Sequence, residues 1–189
     1  MEGTWLQATT LLTAEERSEL LAEARKERHT SVQRNERAGW RIVDDVQFLG
    51  PARFSYSLGG PARLALQPTL AARLGEVAGL DVIAVQSNYL FYGPGDFLGL
   101  HHDQQRCPYT VVALLDGDAE PLCLHPEAIG TAPADLVPLL DPATHTGGLG
   151  VSLAAGPLLL AGTRLPHHRN PHESEGEVTI VTFCFAPPG

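Results

Sequence analysis

The chain of 189 residues has a single lysine, Lys26, and it carries a formal net charge of −9. Proteins that bind nucleic acid neutralise phosphates with clustered basic side chains, so nucleic acid is not an expected partner. Because lysine is so scarce, any fixed cation in a binding site is expected to be an arginine.

Cysteine is also scarce, since Cys107, Cys123 and Cys184 are widely spaced and form no C-x-x-C pair. A zinc site made of cysteines normally uses such pairs, so this sequence does not predict one. An odd number of separated thiols is typical of a reducing compartment, where cysteines act as small apolar side chains. The sequence therefore predicts a cytoplasmic location.

Long apolar runs are missing too. No run reaches 18 residues, and the N-terminus lacks a basic segment followed by an apolar one, so neither a membrane span nor a secretion signal is expected. The composition, 43% apolar and 19% charged, is that of an ordinary globular protein. We expect one domain over residues 1–189, with a supporting part over 1–80 and a β-rich core over 81–189. The sequence indicates no oligomeric state.

Two helices are predicted in the N-terminal part. The first runs from about 14 to 31 and begins with a capping box that starts at Thr13. The second runs over residues 68–78, begins at Pro68 and ends near Gly79, with leucines and a valine at helical spacing.

Short apolar segments separated by glycine and proline predict strands. They cover residues 41–49, 54–57, 81–92, 109–115, 121–124, 151–153, 157–160 and 178–185. Many short strands without a βαβ rhythm indicate an antiparallel sandwich or barrel. Residues 126–150 predict an excursion with a helical turn near 134–139, either a lid over a pocket or a solvated insertion.

The triplet His101-His102-Asp103 follows a Pro-Gly turn. Residues two apart in a strand face the same side, so His101 and Asp103 are expected together, with His102 facing away. An imidazole and a carboxylate supply two ligands of the 2-His-1-carboxylate triad that holds Fe(II) and leaves coordination positions open. An H-x-D triplet alone also occurs by chance. A third ligand is needed, and His167 or His168 could supply it.

The stretch from Tyr92 to Asp103 has the pattern Y-x-P-G-x-x-L-x-L-H-x-D, which resembles the iron(II)/2-oxoglutarate oxygenase superfamily. The similarity is closest to its prolyl-hydroxylase-like and AlkB-like branches. It includes the distal Pro-His-x-x-x-Pro segment at 166–171 and extends over roughly residues 85–186. The resemblance implies an all-β core with flanking helices, namely a double-stranded β-helix of the jelly-roll, cupin-like type. It also implies Fe(II), 2-oxoglutarate and O2.

The resemblance assigns the metal to His101, Asp103 and His167. The spacing of the distal segment favours His167 over His168, because the second proline then follows four residues later. The resemblance also places Tyr92 against the cosubstrate.

One position departs from the family pattern. Prolyl-hydroxylase-like enzymes carry a basic residue nine or ten positions after the distal histidine, where this chain has Gly176 and Glu177. A buried glutamate would repel the dicarboxylate. Another arginine is therefore expected to anchor it, with Arg106, Arg164 and Arg169 as candidates. Arg169 is favoured because it shares the face of the distal histidine in an extended segment.

The sequence thus predicts a non-haem iron(II) oxygenase, dependent on 2-oxoglutarate, that hydroxylates or otherwise oxidises a small-molecule or amino-acid-like substrate. His102, His168, Tyr109 and Glu177 are further candidates for residues around the metal or the substrate. Two alternatives stay open. Glu177 favours a metal-dependent enzyme on the same barrel that does not use 2-oxoglutarate, and a non-catalytic ligand-binding barrel would not need the triad at all.

Overall fold

The structure, a computed structural model, describes residues 4–36, 41–43, 47–49, 51–131, 133–136 and 147–189. Its helices in these ranges are α1 (Ala14–Glu27), α2 (Pro61–Ala78) and the short α3 (Pro133–Leu136). Its strands are β1 (Trp5–Gln7), β2 (Val32–Glu36), β3 (Arg41–Val43), β4 (Gln47–Leu49), β5 (Ala52–Ser57), β6 (Ile83–Tyr92), β7 (Phe97–His101), β8 (Tyr109–Asp116), β9 (Leu122–Leu124), β10 (Leu149–Val151), β11 (Leu158–Leu160), β12 (His167–Arg169) and β13 (Val178–Ala186).

The described strands form one sheet in the order β1-β11-β8-β13-β6-β5-β7-β12-β9-β10, and their pairs are antiparallel. Strand β2 pairs with β5, and the β3–β4 hairpin joins the sheet through β7. Strand β5 lies between β6 and β7, so the first 80 residues contribute to the same sheet as the rest. The predicted antiparallel β core with flanking helices is confirmed.

The alternation of side chains divides the sheet into two faces. On β6, Tyr89 and Phe91 pack with α1 and α2 in one apolar cluster, whereas Tyr92 belongs to a second cluster on the opposite face. Strand β13 follows the same rule, with Phe183 towards the helices and Ile180 on the opposite face. A period of two thus lets one strand support the helical layer and line an interior space at the same time.

Helix α1 begins with the predicted capping box, in which Thr13 and Glu16 exchange backbone and side-chain hydrogen bonds. It ends at Glu27 and continues as a 3-10 turn over Arg28–Thr30, close to the predicted end at 31.

The predicted start of the second helix at Pro68 is wrong, because α2 begins at Pro61 and contains Pro68. Pro61 occupies the first turn, where a missing N–H costs nothing. Pro68 lies on the exposed side of the helix. The predicted end is confirmed, since Gly79 caps the helix with φ 64°, a left-handed conformation that suits glycine.

The N-terminus of α2 is capped by Glu23 of α1. The Glu23 carboxylate accepts hydrogen bonds from the backbone N–H groups of Ala62, at 2.7 Å, and Arg63, at 3.1 Å. It also accepts a hydrogen bond from the Tyr89 hydroxyl at 2.6 Å. Gly60 provides no capping side chain, and a Cβ at that position would collide with the Glu23 carboxyl group. A side chain from another helix therefore satisfies N–H groups that a helix start leaves unpaired.

Two predicted strands also differ from the structure. The single strand predicted over 41–49 is the hairpin of β3 and β4, and the three residues between them lie outside the described residues. The strand predicted over 151–153 is wrong in part, because β10 ends at Val151 and Leu153–Ala155 is a 3-10 turn. Within the predicted excursion, α3 accounts for the start of the helical turn, while residues 132 and 137–146 lie outside the described residues.

Among the helices that the structure describes, none has the length and apolar character needed to cross a bilayer.

We predict that Glu23→Ala lowers the free energy of unfolding by about 3 kcal/mol, because it leaves buried N–H and O–H donors without an acceptor. Urea denaturation followed by circular dichroism measures the change. Glu19→Ala, an exposed position of the same helix, is the matched control and is expected to change stability by less than about 0.5 kcal/mol. Equal losses in the two variants would contradict the capping role.

Candidate metal centre

His101, Asp103 and His167 converge because β7 and β12 are neighbouring antiparallel strands. His101 and His167 are direct cross-strand partners, and their rings lie 4.1 Å apart between centroids. Asp103 follows two residues after the end of β7, and its Oδ1 lies 3.7 Å from the Nε2 atom of each histidine. Their three ligand atoms all lie within 4.8 Å of one another.

Both imidazoles are oriented by the same kind of hydrogen bond. The Nδ1 of His101 contacts the carbonyl of Gly99 at 2.9 Å, and the Nδ1 of His167 contacts the carbonyl of Leu165 at 2.8 Å. A carbonyl only accepts, so each Nδ1 carries the proton and each Nε2 keeps its lone pair. This arrangement fixes the tautomer that a metal ligand needs.

Asp103 is held by two hydrogen bonds although it lies beyond the strand. The Thr110 hydroxyl donates to Oδ2 at 2.5 Å and leaves Oδ1 facing the histidines. The Asp103 N–H donates to the carbonyl of Gly162 at 2.9 Å. A Cβ at Gly162 would collide with the Asp103 carboxyl group, so only glycine fits there. Spacing in the sequence gives no sign of this requirement.

Burial favours the neutral form of His101 and His102. Burial lowers the pKa of His101 well below its ordinary value, and the neighbouring His167 lowers it further. The pKa of His102 is also lowered, mainly by burial and then by His167. Neutral imidazole is the form that binds a metal ion.

The donor set fits one divalent ion. Two imidazole nitrogens and one carboxylate oxygen on one side of an ion form the triad associated with non-haem Fe(II). Bonds to nitrogen and oxygen are about 2.0–2.2 Å long in comparable zinc sites, which the observed spacing allows with small movements.

His168 and His102 lie outside this cluster. His168 is buried on the other side of β12, where its Nδ1 lies 2.9 Å from Nε2 of His125 and its Nε2 lies 3.1 Å from Oδ1 of Asn170. His102 is buried outside the lining of the cavity described next. Of the two neighbouring histidines, His167 lies at the cluster and His168 does not, because they face opposite sides of β12.

The three residues open into a cavity of about 150 Å³ on the inner face of the sheet. The described residues that line it come mainly from β5, β6, β7, β8, β12 and β13, and its charged members are Arg34, Asp103 and Arg169. A concave space lined by apolar side chains and a few polar groups is typical of small-molecule sites.

Arg169 and Tyr92 lie together in the cavity wall. The Arg169 side chain is 3% exposed, one of its nitrogens donates to the carbonyl of Glu120 at 2.7 Å, and its guanidinium lies 5.4 Å from the centre of the Tyr92 ring. Tyr92 also stacks on Phe54 at 5.6 Å. Burial raises the pKa of Tyr92 to about 12, so its hydroxyl keeps its proton. A buried arginine stays charged, which gives the cavity a fixed cation beside a phenol.

Arg106 does not reach this region. Its side chain is exposed and donates to Oε1 of Gln104 at 2.7 Å and to Oε1 of Gln86 at 2.8 Å. Arg164 is exposed as well.

Glu177 and Tyr109 also lie away from the cavity lining. Glu177 forms an ion pair with Arg28 at 2.7 Å, and its side chain is 35% exposed. Tyr109 packs against the apolar cluster on the helical side of the sheet. The glutamate that replaces the basic residue of the family thus faces the surface.

The sequence analysis missed several residues of the cavity wall. Arg34 on β2 lines the cavity but belongs to no sequence motif that would identify it as a site residue. Gln86 and Asn88 were detectable, because they alternate with the helix-facing residues of β6 and therefore share the face of Tyr92.

No family model and no curated protein matches this chain. Solved structures do. A Pseudomonas putida prolyl-4-hydroxylase is 18% identical with a TM-score of 0.58, and the match covers 98% of this chain and 94% of that one. The epimerase SnoN from nogalamycin biosynthesis, in complex with Fe3+, alpha ketoglutarate and nogalamycin RO, is 20% identical with a TM-score of 0.64 and coverages of 97% and 79%. HygX from Streptomyces hygroscopicus, with nickel and 2-oxoglutarate bound, is 18% identical with a TM-score of 0.60 and coverages of 97% and 83%.

These proteins share little sequence with this chain, but their matches extend over nearly all of it. The same part of the chain contains the curved antiparallel sheet, the two outer helices and the cross-strand pair of histidines. The chain therefore has the double-stranded β-helix fold of the iron(II)/2-oxoglutarate-dependent oxygenases, the superfamily that its H-x-D motif resembles.

Proposed function

We propose that this protein is a non-haem iron(II) oxygenase that uses 2-oxoglutarate and O2 to oxidise a small-molecule substrate. One observation carries the proposal. His101, Asp103 and His167 meet with both Nε2 atoms and one carboxylate oxygen directed at the same point, inside a cavity that also holds a buried arginine.

In this proposal the three side chains hold the metal on one side only. Iron bound there supplies O2 chemistry, and the protein supplies orientation, charge and a shaped cavity. The Nδ1 hydrogen bonds of the histidines and the Thr110 hydroxyl fix the ligands before the metal arrives. Sites that are held in this way lose little free energy to reorganisation.

Arg169 is the proposed anchor for the far carboxylate of 2-oxoglutarate. Val178, the residue after Glu177, begins β13 and pairs with Tyr92. A side chain that faced inward at the start of β13 would therefore lie beside the Tyr92 phenol. Arg169 brings its guanidinium to the same phenol from β12. A dicarboxylate buried without a cation would be costly, and Arg169 provides the charge that residue 177 does not.

Several findings support the choice of cosubstrate and substrate class. The related structures of SnoN and HygX contain alpha ketoglutarate or 2-oxoglutarate, and further ligands in such structures are nogalamycin RO and hygromycin B. The net charge of −9 argues against a nucleic-acid substrate. Glu177 pairs with Arg28 at the surface, so its carboxylate does not repel a dicarboxylate inside the cavity.

We predict that His167→Ala abolishes stoichiometric metal binding, whereas His168→Ala retains one ion per chain. The two histidines are neighbours and almost equally buried, 4% and 1% exposed, so both variants lose a similar amount of packing. Equilibrium dialysis with Fe(II) under anaerobic conditions, followed by metal analysis, measures the difference. The reverse result would assign the metal to His168.

We predict that Arg169→Gln weakens 2-oxoglutarate binding at least about 30-fold, because removal of one partner of a buried charge pair costs about 2–5 kcal/mol. The measurement is an anaerobic titration of the iron-loaded protein, followed by the visible metal-to-ligand charge-transfer band. Arg106→Gln is the matched control and is expected to keep the wild-type affinity, because Arg106 lies outside the cavity lining.

Circular dichroism of Arg169→Gln checks that loss of the contact with Glu120 leaves the fold intact. Unchanged affinity in a folded Arg169→Gln variant would reject Arg169 as the anchor. Absence of the band in the wild-type protein would reject 2-oxoglutarate as the cosubstrate.

A further inference from the structure

The inner face of β6 changes from apolar to polar along the cavity. Tyr92 and Leu90 lie beside Val178 and Ile180 of β13, whereas Asn88 and Gln86 are paired with Thr182 and Cys184. These residue pairs follow the cavity wall from its apolar end, at Tyr92, to its polar end, at Gln86. The polar end leads to the metal ligands, because Cys184 pairs with Thr110 and Thr110 bonds to Asp103.

Asn88 has a buried side-chain oxygen without a hydrogen-bond partner among the described residues. The side chain lines the cavity, and the backbone around it is already paired with β13. Nearly all buried polar atoms in native proteins are bonded, and a β-branched residue would suit a strand better. The side-chain oxygen of Asn88 is thus an acceptor that a ligand in the cavity can reach.

2-Oxoglutarate cannot provide that donor. It is a dianion whose oxygens only accept hydrogen bonds, so it leaves Oδ1 of Asn88 unpaired. If a bound organic ligand displaces water there, the donor has to be an N–H or O–H group of a second ligand, and the substrate is the ligand that shares this cavity.

Two glutamines that line the same cavity as Asn88 are oriented as donors. Oε1 of Gln86 and Oε1 of Gln104 both accept from the guanidinium of Arg106, at 2.8 and 2.7 Å. Because guanidinium only donates, these contacts fix which amide atom is oxygen. The Nε2 of Gln86 makes only a long contact of 3.9 Å with Cys184, so its N–H groups are available to a ligand in the cavity that both glutamines line.

The two arginines that line the cavity lie at its other end. The guanidinium of Arg34 lies 5.8 Å from the centre of the Phe54 ring, and that ring stacks on Tyr92, the neighbour of Arg169. Both arginines therefore belong to the Tyr92 end, and Asp103 is engaged at the metal. Apart from the metal ligand Asp103, the side chains that line the amide end are uncharged, and Arg106 contacts the two glutamine oxygens from outside this lining.

We propose that Asn88, Gln86 and Gln104 recognise the substrate, and that the substrate is an uncharged compound rich in hydroxyl or amide groups. Asn88 accepts a hydrogen bond from it, and the two glutamines donate to it. Arg106 is a positioning residue that holds both glutamine oxygens from outside the cavity. This inference rests on the proposed function and narrows its substrate class to uncharged compounds, against the amino-acid-like class predicted from the sequence.

The first test compares melting temperatures of ligand-free variants. Asn88→Leu is expected to raise Tm by about 2–4 °C, because it removes an unpaired buried acceptor. Asn88→Val is a smaller second variant in case leucine does not fit. Gln86→Leu, the same type of change two residues away, is the matched control and is expected not to raise Tm, since its oxygen is bonded. If neither Asn88 variant melts above wild type, the proposal is overturned.

The second test uses defined probes on protein loaded with Mn(II) and 2-oxoglutarate. Methyl glucoside, inositol and N-acetylglucosamine form the uncharged set, and glucuronate and glucosamine form the charged set. At equal millimolar concentration, at least one uncharged probe is expected to raise Tm more than either charged probe, and Asn88→Leu is expected to lose that increase. A larger effect of a charged probe, no effect of the uncharged set, or an increase that survives in Asn88→Leu overturns the proposal.

The charge-transfer titration with 2-oxoglutarate separates this inference from the function on which it rests. The band is expected in wild type and at similar affinity in Asn88→Leu. If wild type lacks the band, the proposed function fails. If the band is present and the uncharged probes have no effect, only the substrate class fails.

Discussion

The candidate site depends on the pairing of β7 with β12. These two short strands make His101 and His167 direct neighbours, although the residues lie far apart in the sequence. Each imidazole then bonds to the carbonyl two residues before it, so the same local geometry orients both rings. A shift of one residue in this register would turn one histidine to the opposite side of the sheet. His168, the next residue of β12, already faces that opposite side, where it contacts His125.

The sign of the charge differs between the whole chain and its buried side chains. The chain has an excess of acidic residues, yet the buried side chains include two arginines, Arg63 and Arg169. Burial lowers the pKa of both guanidinium groups from their ordinary value, and nearby phenols and carboxylates counteract this effect. Arg63 joins the helical layer to β6 through Ser87, whereas Arg169 faces the cavity. The same residue type is thus structural on one face of the sheet and is proposed to bind a ligand on the other.

Much of the site could be predicted because it is local in sequence. The H-x-D triplet, the tyrosine nine residues before it and the spacing around His167 all lie within short segments, and a period of two placed Arg169 on the face of His167. Contacts between distant segments could not be predicted in this way. Glu177 faces Arg28, and Gly162 makes room for Asp103, and neither relation leaves a signal within a few residues. The early start of α2 has a local signal, the proline at Pro61 in its first turn, but the prediction began the helix at Pro68.

The cap on α2 also couples local unfolding of α1 to that of α2. The first N–H groups of α2 are bonded to a side chain of α1, so they lose their acceptor whenever α1 leaves the sheet. Amide hydrogen exchange at Ala62 and Arg63 should therefore report the undocking of α1 as well as the fraying of α2. The helical layer would open as one cooperative unit behind a sheet whose other face carries the metal ligands. A protein built in this way can lose its outer support locally while β6, β8 and β13 keep the cavity wall in place.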